Sequence, residues 1–434
     1  MENFSSRRKF IKRTIASGIG IAIFPQIIPA SALGKNGHVA PSNRIAMAVI
    51  GAGSQGMGDA RWFNKNKEIQ FIAACDVDKA HRDKAKLVFD HHNNNSDTRT
   101  YLDYRELLEK EKVDAMLIAL PDHWHGAIST AVAAKGIDIY GEKPLARTIK
   151  EGRAIVNAVK KNKIIWQTGS WQRSKPNFHK ACELVINEKI GEVKYVEVGL
   201  PDAHKLIGTP PVMPVPEGLD WEFWLGPAPT KPFRGVSHWD WRWIMDYSGG
   251  QLTDWAGHHI DIAHWGLGLD RTGPIEIEGK GVYPNEGIFD VPGEFDFTCL
   301  YENGVKMRVA NKSRLPYSQG TTWYGEKGWI HVDRSRLIAE DPAVLEEKIG
   351  ENEIHLYKSA DHVRNFIECI KSRKETIAPA EIAHRSISVA LIGEIAMLTG
   401  QKLIWDKQKE VFIDNINANR LLSRPFRGSW NLTK

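Results

Sequence analysis

An apolar, strand-like run over residues 44–50 passes directly into Gly51-Ala52-Gly53-Ser54-Gln55-Gly56, an instance of G-x-G-x-x-G. Alone that pattern is weak, because glycine-rich turns occur in many α/β domains. Here a helical stretch, residues 57–64, follows it, and a second apolar run, residues 69–75, ends in Asp76. Strand, glycine turn, helix and strand in that order predict a βαβ unit that holds a dinucleotide. Gly51 permits the tight turn, Gly53 lets the backbone approach a pyrophosphate, and Gly56 lets helix and strand pack closely. Ser54 and Gln55 open the helix, whose unpaired N–H groups and positive dipole end suit phosphate. Asp76, twenty residues after Gly56, is spaced to accept hydrogen bonds from ribose hydroxyls and to repel a 2′-phosphate. NAD is therefore favoured over NADP, with nearby Lys79 and Arg82 the features that weigh the other way.

Further strand-like runs over 114–120, 138–140 and 164–168 alternate with helical periodicity over 125–135 and 149–161. That alternation predicts a doubly wound parallel sheet, with the nucleotide-binding domain spanning residues 33–170. Ligands bind such sheets at the carboxyl ends of the strands. Two polar clusters fall there: Pro121-Asp122-His123-Trp124-His125 and Glu142-Lys143-Pro144. Pro121, His123, Glu142, Lys143 and Pro144 accordingly join the expected cofactor contacts. The plainer alternative for His123 and His125 is that they cap the following helix.

At 434 residues the chain is long enough for about two domains. Its net charge of +5 does not point to nucleic acid. Arg7, Arg8, Lys9, Lys12 and Arg13 against Glu2 place +4 of that total in the first 32 residues, leaving about +1 for the rest. Those 32 residues have the layout of a signal peptide: a basic start, an apolar centre over 15–28, then Ala30-Ser31-Ala32. The Arg7-Arg8 pair followed by Phe10 and Lys12 matches the twin-arginine type, so a periplasmic location is expected. Downstream, the sequence reads as free of any apolar run near 18 residues, so no integral membrane span is expected in the mature chain. Cys75, Cys182, Cys299 and Cys369 lie far apart, which excludes a zinc ribbon and disfavours a disulfide framework.

With the glycine motif, the Pro121–His125 segment and Glu142-Lys143-Pro144 together, the chain resembles the Gfo/Idh/MocA family, which includes glucose-fructose oxidoreductase and inositol dehydrogenase. Residues 249–261 extend the resemblance: Gly249-Gly250, Asp254, His258 and Asp261 match the family pattern G-G-x-x-x-D-x-x-x-H-x-x-D. It covers nearly all of the mature chain. It implies a second, α+β domain (residues 171–360) with an open, largely antiparallel sheet facing the nicotinamide. Residues 361–434 are then returning helices and a tail packing on both domains. A homodimer or homotetramer is a further implication. The residues agree independently: helical periodicity over 176–187, strand-like runs over 193–198, 294–301, 306–310 and 329–332, and amphipathic stretches over 360–371 and 383–398. Residues 199–247, rich in Pro, Gly and Trp, read as a long loop that packs or binds something.

The resemblance implies a catalytic trio of Lys143, Asp254 and His258. Asp254 and His258, four apart, share one face of a helix. His258 suits a base, with an unperturbed pKa of about 6.5. Lys143 is expected to have a lowered pKa and to join a proton relay. A cis peptide before Pro144 is also implied by the family. An open alternative makes Asp254, His258 and Asp261 metal ligands, with His259 or His264 added, although the site is otherwise read as metal-free. Seven of the fifteen tryptophans lie within residues 221–265, where indoles suit sugar faces or equally a domain interface. The expected substrate contacts are Trp171, Arg173, His238, Arg242, Trp243, Asp254, His258 and His259. Three functions follow from this pattern: oxidation of a ring hydroxyl of a sugar or glycoside, C3 being one option, with bound and recycled NAD(H); NAD-dependent glycoside cleavage by transient oxidation and elimination; or sugar binding without catalysis. Exported α-N-acetylgalactosaminidases of this superfamily carry a Tyr and a His-Gly-Leu segment where this chain has Asp254 to Asp261, which disfavours that particular substrate.

Overall fold

Short runs of Val, Ile, Ala and Met, too apolar to face water on either side, become central strands of a parallel sheet. Its members are β1 (Ile45–Ile50), β2 (Ile69–Cys75), β3 (Arg99–Tyr101), β4 (Ala115–Ile118), β5 (Asp138–Gly141) and β6 (Trp166–Thr168), in the order β3-β2-β1-β4-β5-β6. All five pairings are parallel. The order reverses between β1 and β4, the switch point where such sheets bind ligands. The polar edge strand β3 has no apolar pattern and is not legible in the sequence. The computed structural model describes residues 40, 43–203, 208–235 and 240–433. The leader and His238 lie outside the described residues.

The crossover helices start where side chains can cap them. Asp78 accepts from Ala80 N ahead of helix Lys79–Asn93, and Thr148 accepts from Glu151 N ahead of helix Ile149–Asn162. Helix Ser54–Phe63 is different. Gly53 precedes it, no side chain caps it, and its first turn holds no acid.

The second sheet contains β7 (Val193–Leu200), β8 (Glu276–Val282), β9 (Glu294–Leu300), β10 (Lys306–Asn311), β11 (Gly320–Gly325), β12 (Gly328–Val332), β13 (Leu337–Ala339), β14 (Leu403–Asp406) and β15 (Val411–Phe412). Its order is β13-β12-β11-β7-β10-β9-β8-β14-β15. Only β7 and β10 run parallel; the other described pairings are antiparallel. Along β9 the alternation of Phe295, Phe297 and Cys299 with Asp296 and Thr298 turns one face to the core. Helices Pro176–Ile186, Gly250–Leu267 and Ala380–Thr399 cover that face.

Two features differ from the sequence reading, residues 403–412 and helix Ala380–Thr399. Residues 403–412 are strands that extend the second sheet, not part of a helical return. Helix His362–Ser372 does return: Val363, Phe366 and Ile367 pack with Phe63 and Tyr140 of the first domain. Helix Ala380–Thr399 is long and apolar enough to cross a membrane, and it is 83% buried inside the fold. Its apolarity reflects burial on all sides, between the two domains' elements. Within the 199–247 loop, Trp221 and Trp224 stack at 4.6 Å and join Phe233, Ile244 and Tyr247 in a small core of their own. Residues Ile45–Lys434 form one compact unit, and the four cysteines are free and buried.

Candidate active site

The glycine turn explains itself in atomic terms. Gly51 has φ +90°, and a Cβ there would lie 2.1 Å from Ala119 O. A Cβ on Gly56 would lie 1.9 Å from Gly51 O. Gly53 is the reverse case, since its Cβ would meet nothing nearer than His81 Cε1 at 3.8 Å. That open flank faces a groove lined by Ser54, Gln55, Asp76, His81, Pro121, Glu142 and Lys143. The uncapped N-terminus of helix Ser54–Phe63 opens onto the same groove, so the cradle fits a pyrophosphate. Tyr104, Trp124, Phe223 and Trp224 add aromatic walls.

Asp76 is held by the turn it serves. Its Oδ2 accepts from Ala52 N at 2.8 Å and its Oδ1 from Asp78 N at 2.9 Å, with His81 Nδ1 3.3 Å from Oδ2. A carboxylate offers about four lone-pair sites, so capacity remains for ribose hydroxyls. Asp76→Ala is expected to weaken NAD binding roughly 10- to 100-fold, the worth of a charge-assisted bond, and to narrow the gap to NADP. Calorimetry with both nucleotides measures this. Unchanged NAD affinity would remove Asp76 from the site.

The second domain brings its motif to the switch point through the start of helix Gly250–Leu267. Ser248 Oγ donates to Asp122 Oδ2 at 2.7 Å, and Ser170 Oγ donates to Gly257 O at 2.7 Å. Gly257 lets this helix sit against Lys143, because a Cβ there would be 3.2 Å from Lys143 Cβ. Lys143 Nζ then donates to Asp254 Oδ1 at 2.6 Å, and Arg242 Nε lies 3.8 Å from the same oxygen. The Lys143–Pro144 peptide is cis.

Electrostatics sort these groups. Burial alone would depress the Lys143 ammonium, but the charges of Asp254 and Glu142 outweigh it and hold its pKa above the ordinary lysine value. The expected lowering is therefore corrected: Lys143 is a cation here. Burial would raise Asp254, yet Lys143 and Arg242 hold it below the usual carboxylate range. His258 is pushed far down by burial and by the neighbouring cations Lys143 and Arg334, so it is neutral. It is 3% exposed, and its Nδ1 finds no partner among the described residues. Its ring lies edge-on to Trp171 at 6.2 Å and to Trp255 at 5.4 Å. Behind Lys143, burial raises both Asp59 and Glu142, and the Glu142 charge raises Asp59 further. One proton between them removes the repulsion of two buried charges.

Several expected contacts are used elsewhere. His123 is fully buried and donates from Nε2 to Trp224 O at 3.1 Å, holding the aromatic loop rather than lining the groove. His125 spans Pro144 O at 2.6 Å and Leu120 O at 2.9 Å, tying together the ends of two strands. Arg173 is 1% exposed and clamped by Asp261 and Asp270, so it cannot meet a sugar hydroxyl. The metal alternative fails on the same contacts, since Asp261 is committed to Arg173 and Asp254 to Lys143. His259 is fully buried against Trp255, and Trp243 packs with Phe289 in the small aromatic core. Arg242 and Trp241 do line the groove. The sequence reading missed Asp59, Gln172 and Arg334. Asp59 lies three residues after Gly56 on the same helix, a spacing that was available as a signal.

Comparison with known proteins follows the same division. The NAD-binding Rossmann-fold model of the Gfo/Idh/MocA oxidoreductases matches residues 45–170, and the model of their C-terminal alpha/beta domain matches residues 205–432. The scyllo-inositol 2-dehydrogenase (NAD(+)) of Bacillus subtilis (strain 168) is 27% identical over 316 residues, covering 70% of this chain and 81% of that protein. A glycosyl hydrolase family 109 protein of Shewanella baltica (strain OS195) is 26% identical over 172 residues, covering 36% of this chain and 37% of its own length. Among solved structures, the WlbA dehydrogenase from Bordetella pertussis, in complex with NADH and UDP-GlcNAcA, superposes with a TM-score of 0.63 at 15% identity. That match covers 84% of this chain and 99% of WlbA.

Proposed function

The chain belongs to the Gfo/Idh/MocA family and is an NAD-dependent oxidoreductase, and from that premise we propose that it oxidises a ring hydroxyl of a sugar or glycoside with NAD(H) that stays bound between turnovers. The observation that carries the reading is the ion pair of Lys143, which lines the groove, with Asp254, one helical turn before neutral His258 on the same helix. When bound, NAD would be held by the Gly51–Gly56 turn and Asp76 and would supply the hydride acceptor. Neutral His258 accepts the hydroxyl proton, since a protonated imidazole could not act as base. The Lys143 ammonium stabilises the negative charge that builds on the substrate oxygen, an interaction strengthened by exclusion of water. Asp254 fixes Lys143 in place and keeps it charged. In the reverse direction protonated His258 returns that proton to the substrate oxygen, and Lys143 remains an ammonium throughout.

Retention of the nucleotide is supported by the C-terminal segment. Trp430 packs edge-on against Trp124 at 4.9 Å and Phe223 at 5.3 Å, two walls of the groove. Arg427 Nε donates to Gly226 O and Ala228 O, and Arg424 donates to Asp246 O and His123 O. Opening the groove on this side means breaking that set together. The leader motif supports export by the twin-arginine route, which moves folded proteins. A folded, loaded enzyme outside the cytoplasm has no free NAD pool to draw on, so the hydride passes to a second molecule or back to the same sugar.

The test is direct. Protein from the exported fraction should release close to one NAD(H) per chain on denaturation. Turnover should need no added NAD and yield no net NADH. Empty protein that makes NADH continuously from added NAD would sink the reading. The similarity to glycosyl hydrolase family 109 favours a second reading, cleavage by oxidation, elimination, hydration and return of the hydride. Product analysis separates the two: a keto-sugar with a reduced acceptor, or free aglycone with an unoxidised sugar.

A further inference from the structure

Arg334 lies beyond the residues that the family pattern marks, at the turn after β12. That turn is rigid. Asp333 Oδ1 accepts from Ser335 N, Ser335 Oγ and Arg336 N at 2.7–2.9 Å, and Asn177 Nδ2 donates to Asp333 O at 2.7 Å. From it the Arg334 guanidinium reaches over two indoles, with Cζ 4.5 Å from the Trp171 ring centroid and 4.4 Å from that of Trp255. These are the two rings that stand edge-on to His258. Arg334 Nε donates to Gln172 Oε1 at 3.1 Å, and Gln172 Nε2 donates in turn to His258 O at 3.3 Å. The cation is thus fixed one aromatic layer from the proposed base.

Among the described residues, no carboxylate lies within ion-pair distance of Arg334. Asp254, whose charge acts on it, is committed to Lys143 at 2.6 Å, and Asp333 is committed to Arg336 at 2.6 Å. Lys175 adds a second cation on Trp171, with Nζ 5.3 Å from the ring. Arg334 is exposed, so its charged end stays open to a ligand while the two indoles and Gln172 hold the side chain. The stacked faces and the bonded Nε leave the two Nη groups as a preformed fork, which matches an oxyanion in plane. Most of the ordering cost is met before a ligand arrives.

We propose that Arg334, supported by Lys175, is the subsite for an anionic substituent on the sugar, a carboxylate or a sulfate ester, and that the enzyme's substrates are acidic sugars or their glycosides. This rests on the reading that Lys143 and His258 hold the reacting hydroxyl. The test uses the protein with its retained nucleotide and matched methyl glycosides of the gluco and galacto series: neutral, 6-sulfated and 6-carboxylate. Binding is read by calorimetry, and a single turnover by absorbance of reduced nicotinamide. The charged members should bind more tightly than their neutral counterparts. Arg334→Met, which keeps bulk against the indoles, should cut that preference roughly 10- to 100-fold, and Arg334→Lys should restore part of it. Whichever charged arm depends on Arg334 identifies the substituent. Equal binding of charged and neutral members, or a preference untouched in Arg334→Met of normal thermal stability, overturns the subsite. If neutral glycosides then still reduce the bound nucleotide, the oxidation reading stands without it. Arg334-dependent binding with no reduction of the nucleotide would support the subsite and defeat the oxidation reading instead.

Discussion

Lys143→Met should lose roughly 10²- to 10⁴-fold in turnover, the usual cost of removing one partner in proton transfer or charge stabilisation. Methionine keeps the length of the side chain beside Gly257 but not the ammonium. Asp254 is left with Arg242 at 3.8 Å as its nearest cation, so the carboxylate is not stranded and the fold should persist. His258→Asn should have a loss of similar size, for a different reason. Asparagine cannot accept the hydroxyl proton, while the Lys143–Asp254 pair remains. Both variants should retain most of their bound nucleotide, because the glycine turn, Asp76 and the aromatic walls are untouched. Single-turnover rates and nucleotide content, measured on the same preparations, check this. Either variant turning over within a few-fold of the parent would take that residue out of the chemistry.

Arg173→Met should destabilise the protein by about 3–5 kcal/mol, the range for breaking a buried ion pair by removing one partner. Arg173 Nε and Nη2 bond Asp261 at 2.6 and 3.0 Å, and Nη1 and Nη2 bond Asp270 at 3.0 and 2.7 Å. Trp265 lies against its face at 4.9 Å. Methionine leaves Asp261, 1% exposed, with an uncompensated charge or an enforced proton. The loss should appear as a lower urea midpoint, with KM for the sugar close to the parent's in the protein that remains folded. A normal midpoint with a raised KM would mean that Arg173 contacts substrate after all, as its place after the first sheet suggests.

Arg173 also shows where sequence reasoning stops. Its position, two residues after Trp171 and close to β6, is equally consistent with a sugar contact and a structural clamp. The choice depends on Asp261 and Asp270, which lie 88 and 97 residues further on. His123, His259 and Trp243 failed in the same way. Each is polar or aromatic and adjacent to a functional motif, and each is consumed elsewhere: His123 by Trp224, Trp243 by Phe289, and His259 by Trp255 together with Gln172 and Gln319. Arg334 is the converse case. Nothing in its neighbourhood marks it, and its position over Trp171 and Trp255 exists only because folding brings the turn after β12 to the start of helix Gly250–Leu267.

What could be read from the chain alone is what local physics dictates. The spacing of Gly51, Gly53 and Gly56 already carries the turn, the helix entry and Asp76, since Gly56 is required by its closeness to Gly51 O within one βαβ unit, even though the atom that forbids a side chain at Gly51 belongs to Ala119 after β4. The alternation of apolar runs with helical periodicity likewise specified a parallel sheet, because burial on both faces forces that composition. The membership of residues 403–412 in the second sheet, the burial of helix Ala380–Thr399 and the ionisation of Lys143 were not accessible by that route. Strand pairing, burial and Coulomb energy depend on which distant groups come within a few ångströms. Lys143 is the sharpest instance: burial alone would lower its pKa, and a carboxylate 111 residues away reverses the sign. Sequence periodicity contains no term for that neighbour, and folding supplies it.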